Sequence, residues 1–195
     1  RVLDPGIVLE GGAVETNGGS LLLVAEESVL DPKRNPGMTK QRAEEIFGEY
    51  LGASQTIWLR GDLQGDDTGH VDVVARFVSE NRVVVPRGMA AGTRDDQICA
   101  DNKARLLAAG LEVIELPLIE PSYSDVTENF LPRSFANFYV FNGAVLIPSF
   151  GVEEDLEAKT SMSEAFPNRE VIALDCNDLV FGRGGIHCLT QQLPA

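Results

Sequence analysis

Short apolar runs joined by asparagine turns alternate along this chain with amphipathic stretches, and the same order of elements recurs three times. Pairs of β-rich runs span Ala13 to Leu30, Val71 to Pro86 and Phe135 to Pro148, turning at Asn17-Gly18, Asn81-Arg82 and Asn142-Gly143. Asn-Gly is a strong hairpin signal because both residues tolerate positive φ; Asn-Arg is a weaker one. Amphipathic helices are predicted after each pair, over Thr39–Tyr50, Asp95–Ala109 and Val152–Phe166, with Thr39 and Asp95 as N-caps. Each helix leads into one apolar strand, Thr56–Leu59, Leu111–Leu116 or Glu170–Leu174, whose Val, Ile and Leu content suits burial. The helix starts at Asp95 and Val152 lie 57 residues apart. Self-similarity at such a period predicts an α/β fold built as a propeller-like or stacked array. One domain over 1–195 then holds units over about 1–60, 61–117 and 118–175 and a closing segment, 176–195.

The repeat gives distant residues a reason to meet. Glu10, His70 and Cys188 fall in connections that follow a unit's last strand or precede a hairpin, and equivalent connections in a ring point at one axis. Asn137 holds a comparable place before the third turn. One pocket is therefore expected to collect Glu10, His70, Asp72, Asn137 and Cys188.

Composition narrows the chemistry. The 195 residues carry 30 acidic and 16 basic side chains, a net charge of −14, which disfavours a nucleic-acid partner, because phosphate backbones are bound mainly by Lys and Arg. That charge serves solubility first and also draws in small cations. The first ten residues lack a signal-peptide pattern and no run approaches a membrane span, so a cytoplasmic protein is expected. The absence of an initiator methionine suggests a fragment. Three widely spaced cysteines, Cys99, Cys176 and Cys188, argue against a disulfide framework and for a reducing compartment.

Cys188 follows the glycine-rich run Gly184-Gly185-Ile186-His187, where a thiol is easily presented, and Gly65 to Asp72 supplies an imidazole and a carboxylate two residues apart. A cysteine with a distant histidine and acid is the minimum set for thiol-based covalent catalysis. His70 and Asp72 also fit a surface pair, or a metal site with Cys188 and Glu10, although the close Cys or His pairing of zinc sites is missing. Cys99 and Cys176, set among apolar residues, read as core, as do Met38, Met89, Met162 and Trp58. His187 is expected to alternate to the strand face opposite Cys188 and to serve as a structural hydrogen-bonding residue. Asp62, Asp66 and Asp67 read as solvated loop acids.

Taken together, several segments in order resemble the agmatine deiminase and bacterial-type peptidylarginine deiminase family of guanidine-modifying enzymes. They are Leu9-Glu10-Gly11-Gly12, Leu30-Asp31-Pro32-Lys33-Arg34-Asn35-Pro36, Ile57-Trp58-Leu59, Gly65 to Asp72, Asn137-Phe138-Tyr139 through Pro148, and Gly184 to Ala195. The resemblance implies the pentein α/β propeller, five ββαβ units around a pseudo-fivefold axis, with this chain as the last three units and the closing segment. It implies Cys188 as nucleophile, His70 as general acid and base, Asp72 as the carboxylate gripping a guanidinium, Glu10 as a second substrate-facing acid and Asn137 as a pocket-lining residue. The family's aspartate from a Trp-x-Arg-Asp segment has no counterpart here, since Trp58-Leu59-Arg60-Gly61-Asp62 lacks the following Gly-Pro and reads as a strand end. Thr68-Gly69-His70 is tighter than the family's usual spacing, and Arg183 and Gly185 depart from its Gly-Gly-Gly-Asn run.

The implied reaction converts agmatine and water to N-carbamoylputrescine and ammonia, a step of polyamine synthesis, with no metal or organic cofactor. The rivals are a peptidylarginine or free-arginine deiminase and a non-catalytic fragment or binding module that needs its N-terminal half. An RNA-related role fits poorly with the charge. Three open units expose strand edges, so self-association or a partner carrying the missing units is expected.

Overall fold

The computed structural model describes residues 3–89 and 92–193. The outermost ends of the first unit and of the closing motif, residues 1–2 and 194–195, lie outside that range. Three ββαβ units follow one another. In the first, strands β1 (Val14–Thr16) and β2 (Leu21–Ala25) precede a single turn α1 (Glu26–Val29), helix α2 (Lys40–Leu51) and strand β3 (Gln55–Leu59). The second holds β4 (Arg76–Ser79), β5 (Arg82–Arg87), α3 (Arg94–Ala108) and β6 (Glu112–Pro117). A small hairpin, β7 (Tyr123–Ser124) with β8 (Asn129–Phe130), leads to the third, made of β9 (Tyr139–Phe141), β10 (Ala144–Ser149), α4 (Glu154–Ala165) and β11 (Glu170–Asp175). In each unit the middle strand pairs antiparallel with the first and parallel with the last. The three sheets stay separate, and the β7–β8 hairpin forms a fourth, two-stranded one.

Local chemistry explains most boundaries. Gly143 adopts φ 82° in the two-residue turn between Phe141 and Ala144, a conformation costly for a side chain with a Cβ. The second turn sits one residue earlier than expected, at Glu80-Asn81, because Ser79 pairs with Arg82. Thr39 caps α2 as expected, accepting from the Arg42 amide. The cap of α3 is Thr93 and not Asp95: Thr93 and Asp96 form a reciprocal capping box, which satisfies two amides where Asp95 at that place would satisfy one. Asp95 instead accepts from the Gln64 amide, and burial raises its carboxyl above the usual range.

Period-two alternation decides how the units stack. Leu22 and Val24 of β2 pack on Ala43 and Phe47 of their own helix α2, while Leu23 and Ala25 face Ile98 and Leu106 of the next unit's α3. Val83 and Val85 of β5 join α3, and Val84 joins Ala158 and Met162 of α4. Each sheet is thus sandwiched between its own helix and the following one. The third sheet breaks the rule. Tyr139, Leu146 and Ile172 lie side by side across it, and with Phe141 and Leu174 they form a face with no following helix among the described residues. Ile172 and Leu174 are accordingly 36% and 44% exposed.

Cys99, Cys176, Met162 and Trp58 are buried as expected, and Met38 packs partly buried against α2's cluster. Met89 is 49% exposed and does not belong to the core. The first two units are clamped by Asn102 of α3, whose side chain accepts from the Arg60 amide and donates to the Arg60 carbonyl, both at 2.8 Å. Asn102→Ala strands two backbone groups in a place only 1% exposed, and is expected to lower stability by about 2–4 kcal/mol. Urea unfolding followed by circular dichroism measures this; an unchanged midpoint would contradict the clamp.

Candidate active site

Glu10 and His70 occupy the same position in successive units. Each precedes a 3-10 turn, Gly11–Ala13 or Val71–Val73, with nearly identical backbone angles (φ −78°, ψ 147° and φ −81°, ψ 148°). A further 3-10 turn, His187–Leu189, carries the cysteine and touches the first of these. Of the five residues expected in one pocket, His70, Asp72 and Cys188 line a groove of about 840 Å³, together with Arg76, His187, Gly11, Gly12, Val14 and Leu22, whereas Glu10 and Asn137 do not line it. Gly12 is required by close approach: a Cβ there would lie 2.5 Å from His70 Nδ1 and 3.0 Å from Asp72 Oδ2.

Asp72 sits at the centre with 1% side-chain exposure. Its Oδ2 lies 2.8 Å from His187 Nδ1 and 3.5 Å from Cys188 Sγ. Its Oδ1 is buried with no hydrogen-bond partner among the described residues. An orphaned carboxylate oxygen is costly, which marks it as an acceptor awaiting a donor. Cys188 opens on the groove, but its sulfur turns inward to Asp72 and to Asn137 Nδ2 at 3.4 Å. Burial, then the Asp72 charge, pushes the Cys188 thiol above the ordinary cysteine value.

His70 Nε2 lies 3.0 Å from Glu10 Oε2, and that oxygen also meets Arg34 Nε at 2.8 Å and Ser28 Oγ at 3.4 Å. Burial, the largest single influence, works to raise the Glu10 carboxyl, yet the bond and charge of His70 together with Arg34 bring it below the ordinary value. Glu10 is thus turned to His70 and Arg34. Asn137 is 2% exposed and lies behind the cysteine, not on the groove wall: its Oδ1 accepts from the His187 amide at 2.9 Å and its Nδ2 approaches the Asp72 carbonyl at 3.3 Å. A Cβ on Gly185 would collide with Asn137 Oδ1, so glycine at that position lets the closing segment dock.

Three expectations need correcting. His187 does not alternate away from Cys188, because the segment is a 3-10 turn and not a strand; both side chains reach Asp72. Asp66 is not a solvated acid: it accepts from the Thr68 amide and hydroxyl and from the His70 amide at 2.9 Å, shaping the loop that presents His70. Asp62 is half-buried and paired with Arg60 and Arg94; Asp67 alone of the three is exposed, and it bonds Arg183 and Asn129. Sequence reasoning also passed over Arg34 and over the buried Arg76, whose Nε lies 2.8 Å from Glu15 Oε2 without hydrogen-bond alignment and whose Nη1 donates to the Phe138 carbonyl. Asp66-x-Thr68 is a turn signature that was legible; nothing local singles out Arg34 or Arg76.

No group of three or more His, Cys, Asp or Glu among the described residues is placed to hold a metal ion, and no helix among them is long and apolar enough to cross a membrane. The geometry defines a thiol, imidazole and carboxylate site at the convergence of ββαβ units. The sequence matches the Porphyromonas-type peptidyl-arginine deiminase family over residues 1–194, and the chain belongs to that family. A protein of Latilactobacillus sakei subsp. sakei (strain 23K), whose name assigns it provisionally to agmatine deiminase, is 32% identical over 97% of this chain. Among solved structures, C. jejuni agmatine deiminase with substrate bound, a cysteine-to-serine variant, superposes with a TM-score of 0.87 at 28% identity, covering 93% of this chain and 55% of that one. A Porphyromonas gingivalis protein named provisionally as an arginine deiminase superposes at 0.89 with 36% identity over 96% of this chain and 57% of its own. The chain spans 57–58% of the length of the curated relatives it matches.

Proposed function

We propose that this chain carries the nucleophile, acid-base and carboxylate portion of a guanidine deiminase whose substrate is agmatine. The observation that carries the reading is the buried Asp72 carboxylate, with one unpartnered oxygen, set 3.5 Å from an accessible cysteine thiol. A guanidinium is a planar cation that satisfies such an acceptor with charge-assisted N–H donors and thereby fixes its carbon beside sulfur. Its positive charge also offsets the carboxylate that holds the thiol protonated, so binding activates the nucleophile.

As the guanidinium binds, Cys188 loses its proton to solvent, and the thiolate adds to the guanidinium carbon and forms a C–S bond. His70 donates a proton to the departing nitrogen, the C–N bond breaks, and ammonia leaves a thiouronium on Cys188. Neutral His70 then takes a proton from water, which attacks the same carbon; the C–S bond breaks, returning the cysteine and releasing N-carbamoylputrescine. Glu10 serves this cycle by orienting His70 through the 3.0 Å contact. Asn137 holds the cysteine turn against Asp72.

Agmatine is favoured over arginine by the charges of the groove. Its one arginine, Arg76, is 4% exposed and engaged by Glu15 and the Phe138 carbonyl, so among the described lining residues no guanidinium or ammonium is left for an α-carboxylate. The uncovered face of the third sheet supports a second part of the proposal. In both earlier units that face is capped by a following helix, so Ile172 and Leu174 take a helix from a further ββαβ unit, held in trans or on a second copy.

Ammonia release is expected with agmatine, weakly if at all with L-arginine or a blocked arginine peptide, and not in Cys188→Ala. The assay is run on the chain alone and on the chain joined to that part of the L. sakei relative which it does not match. Silence in both forms would overturn the catalytic reading and leave a binding module. Sedimentation velocity is expected to show self-association of the chain that Ile172→Glu with Leu174→Glu abolishes; a compact monomer at all concentrations would contradict docking on a second copy.

A further inference from the structure

We propose that His187 is a positioning residue for the Cys188 thiolate, acting through the Asp72 carboxylate that both side chains touch. This rests on the reading of Cys188 as the nucleophile. Two contacts on one oxygen carry it: Asp72 Oδ2 is 2.8 Å from His187 Nδ1 and 3.5 Å from Cys188 Sγ. A carboxylate oxygen only accepts, so Nδ1 carries the proton and donates it.

Ionising Cys188 without that donor would set a second anion beside a carboxylate that is itself almost closed to water, which is unfavourable. The remaining charged groups offer no substitute. Arg76 is committed to Glu15 and the Phe138 carbonyl, Arg34 to Glu10 and Asp31, and His70 to Glu10. His187 alone among these groups has its ring on Asp72. Its backbone is fixed independently, with the amide donating to Asn137 Oδ1 at 2.9 Å, so the ring is aimed by the same turn that carries the sulfur. At 11% side-chain exposure the imidazole is also shielded from water that would compete for the bond to Asp72.

His187 therefore draws charge from Asp72 and holds that carboxylate in the orientation that leaves Oδ1 free for substrate. It differs in role from His70, whose Nε2 is tied to Glu10. Two histidines then divide the work: one exchanges protons with the leaving group and water, the other sets the ionisation of the thiol.

The test needs no turnover. The pH dependence of iodoacetamide alkylation is read at Cys188 by mass spectrometry in the unaltered chain, in His187→Ala and in His187→Leu, which refills the space of the ring. The midpoint is expected to rise by about one pH unit in both variants. In an Asp72→Asn background, where no anion remains to be balanced, the same substitutions are expected to move it far less. A midpoint that stays or falls, or an equal rise in both backgrounds, would overturn the proposal. Because the readout is thiol ionisation, absence of deiminase activity leaves the outcome interpretable and separates failure of this inference from failure of the proposed reaction.

Discussion

A carboxylate buried to 1% exposure must be held by its surroundings, and the arrangement around Asp72 is the constraint on which the rest of the site depends. Its position is fixed from three directions: the 3-10 turn of the second unit, the glycine floor contributed by the first, and the closing turn that brings His187 and Cys188 over it. Asn137 of the third unit joins two of these by holding the His187 amide and reaching the Asp72 carbonyl. Burial makes these contacts strong and also makes an unpartnered oxygen expensive, which is the demand the proposed cationic substrate would meet.

That demand links fold to chemistry. The ββαβ repeat places Glu10 and His70 at the heads of equivalent turns, so acid and imidazole arrive from neighbouring units with matched backbone geometry. The same repeat explains the exposed apolar face of the third sheet. Each sheet is completed by the helix of its successor, and the last sheet has no successor among the described residues. Site and seam are therefore two consequences of one stacking rule, an arrangement consistent with a chain that matches little more than half the length of its curated relatives.

The units, the order of their strands and helices, and the meeting of His70, Asp72 and Cys188 in one groove were legible in the sequence because period-two and helical patterns are local and the repeat supplied the long-range geometry. Roles were less legible. His187 was misplaced because a glycine-rich approach and a following Leu-Thr look like a strand, whereas the Asn137 side chain and carbonyl both take the His187 amide and fold the segment into a 3-10 turn. The carboxylate of Asp66 was read as solvated although Asp66-x-Thr68 is a turn signature, because its further donor, the His70 amide, is a backbone group that no side-chain pattern announces. Asn137 was expected on the groove wall, yet a glycine at 185 lets it pack behind the sulfur.

The central claim is that Asp72 presents a planar cation to Cys188. It is tested most directly by comparing 2-chloroacetamidine, a cation, with its neutral analogue 2-chloroacetamide as alkylators of Cys188, each rate normalised to that with a free thiol. The account predicts a preference of about tenfold or more for the amidine, the size of a charge-assisted hydrogen bond, and its loss in Asp72→Asn. Equal normalised rates, or a preference that survives in Asp72→Asn, would contradict it.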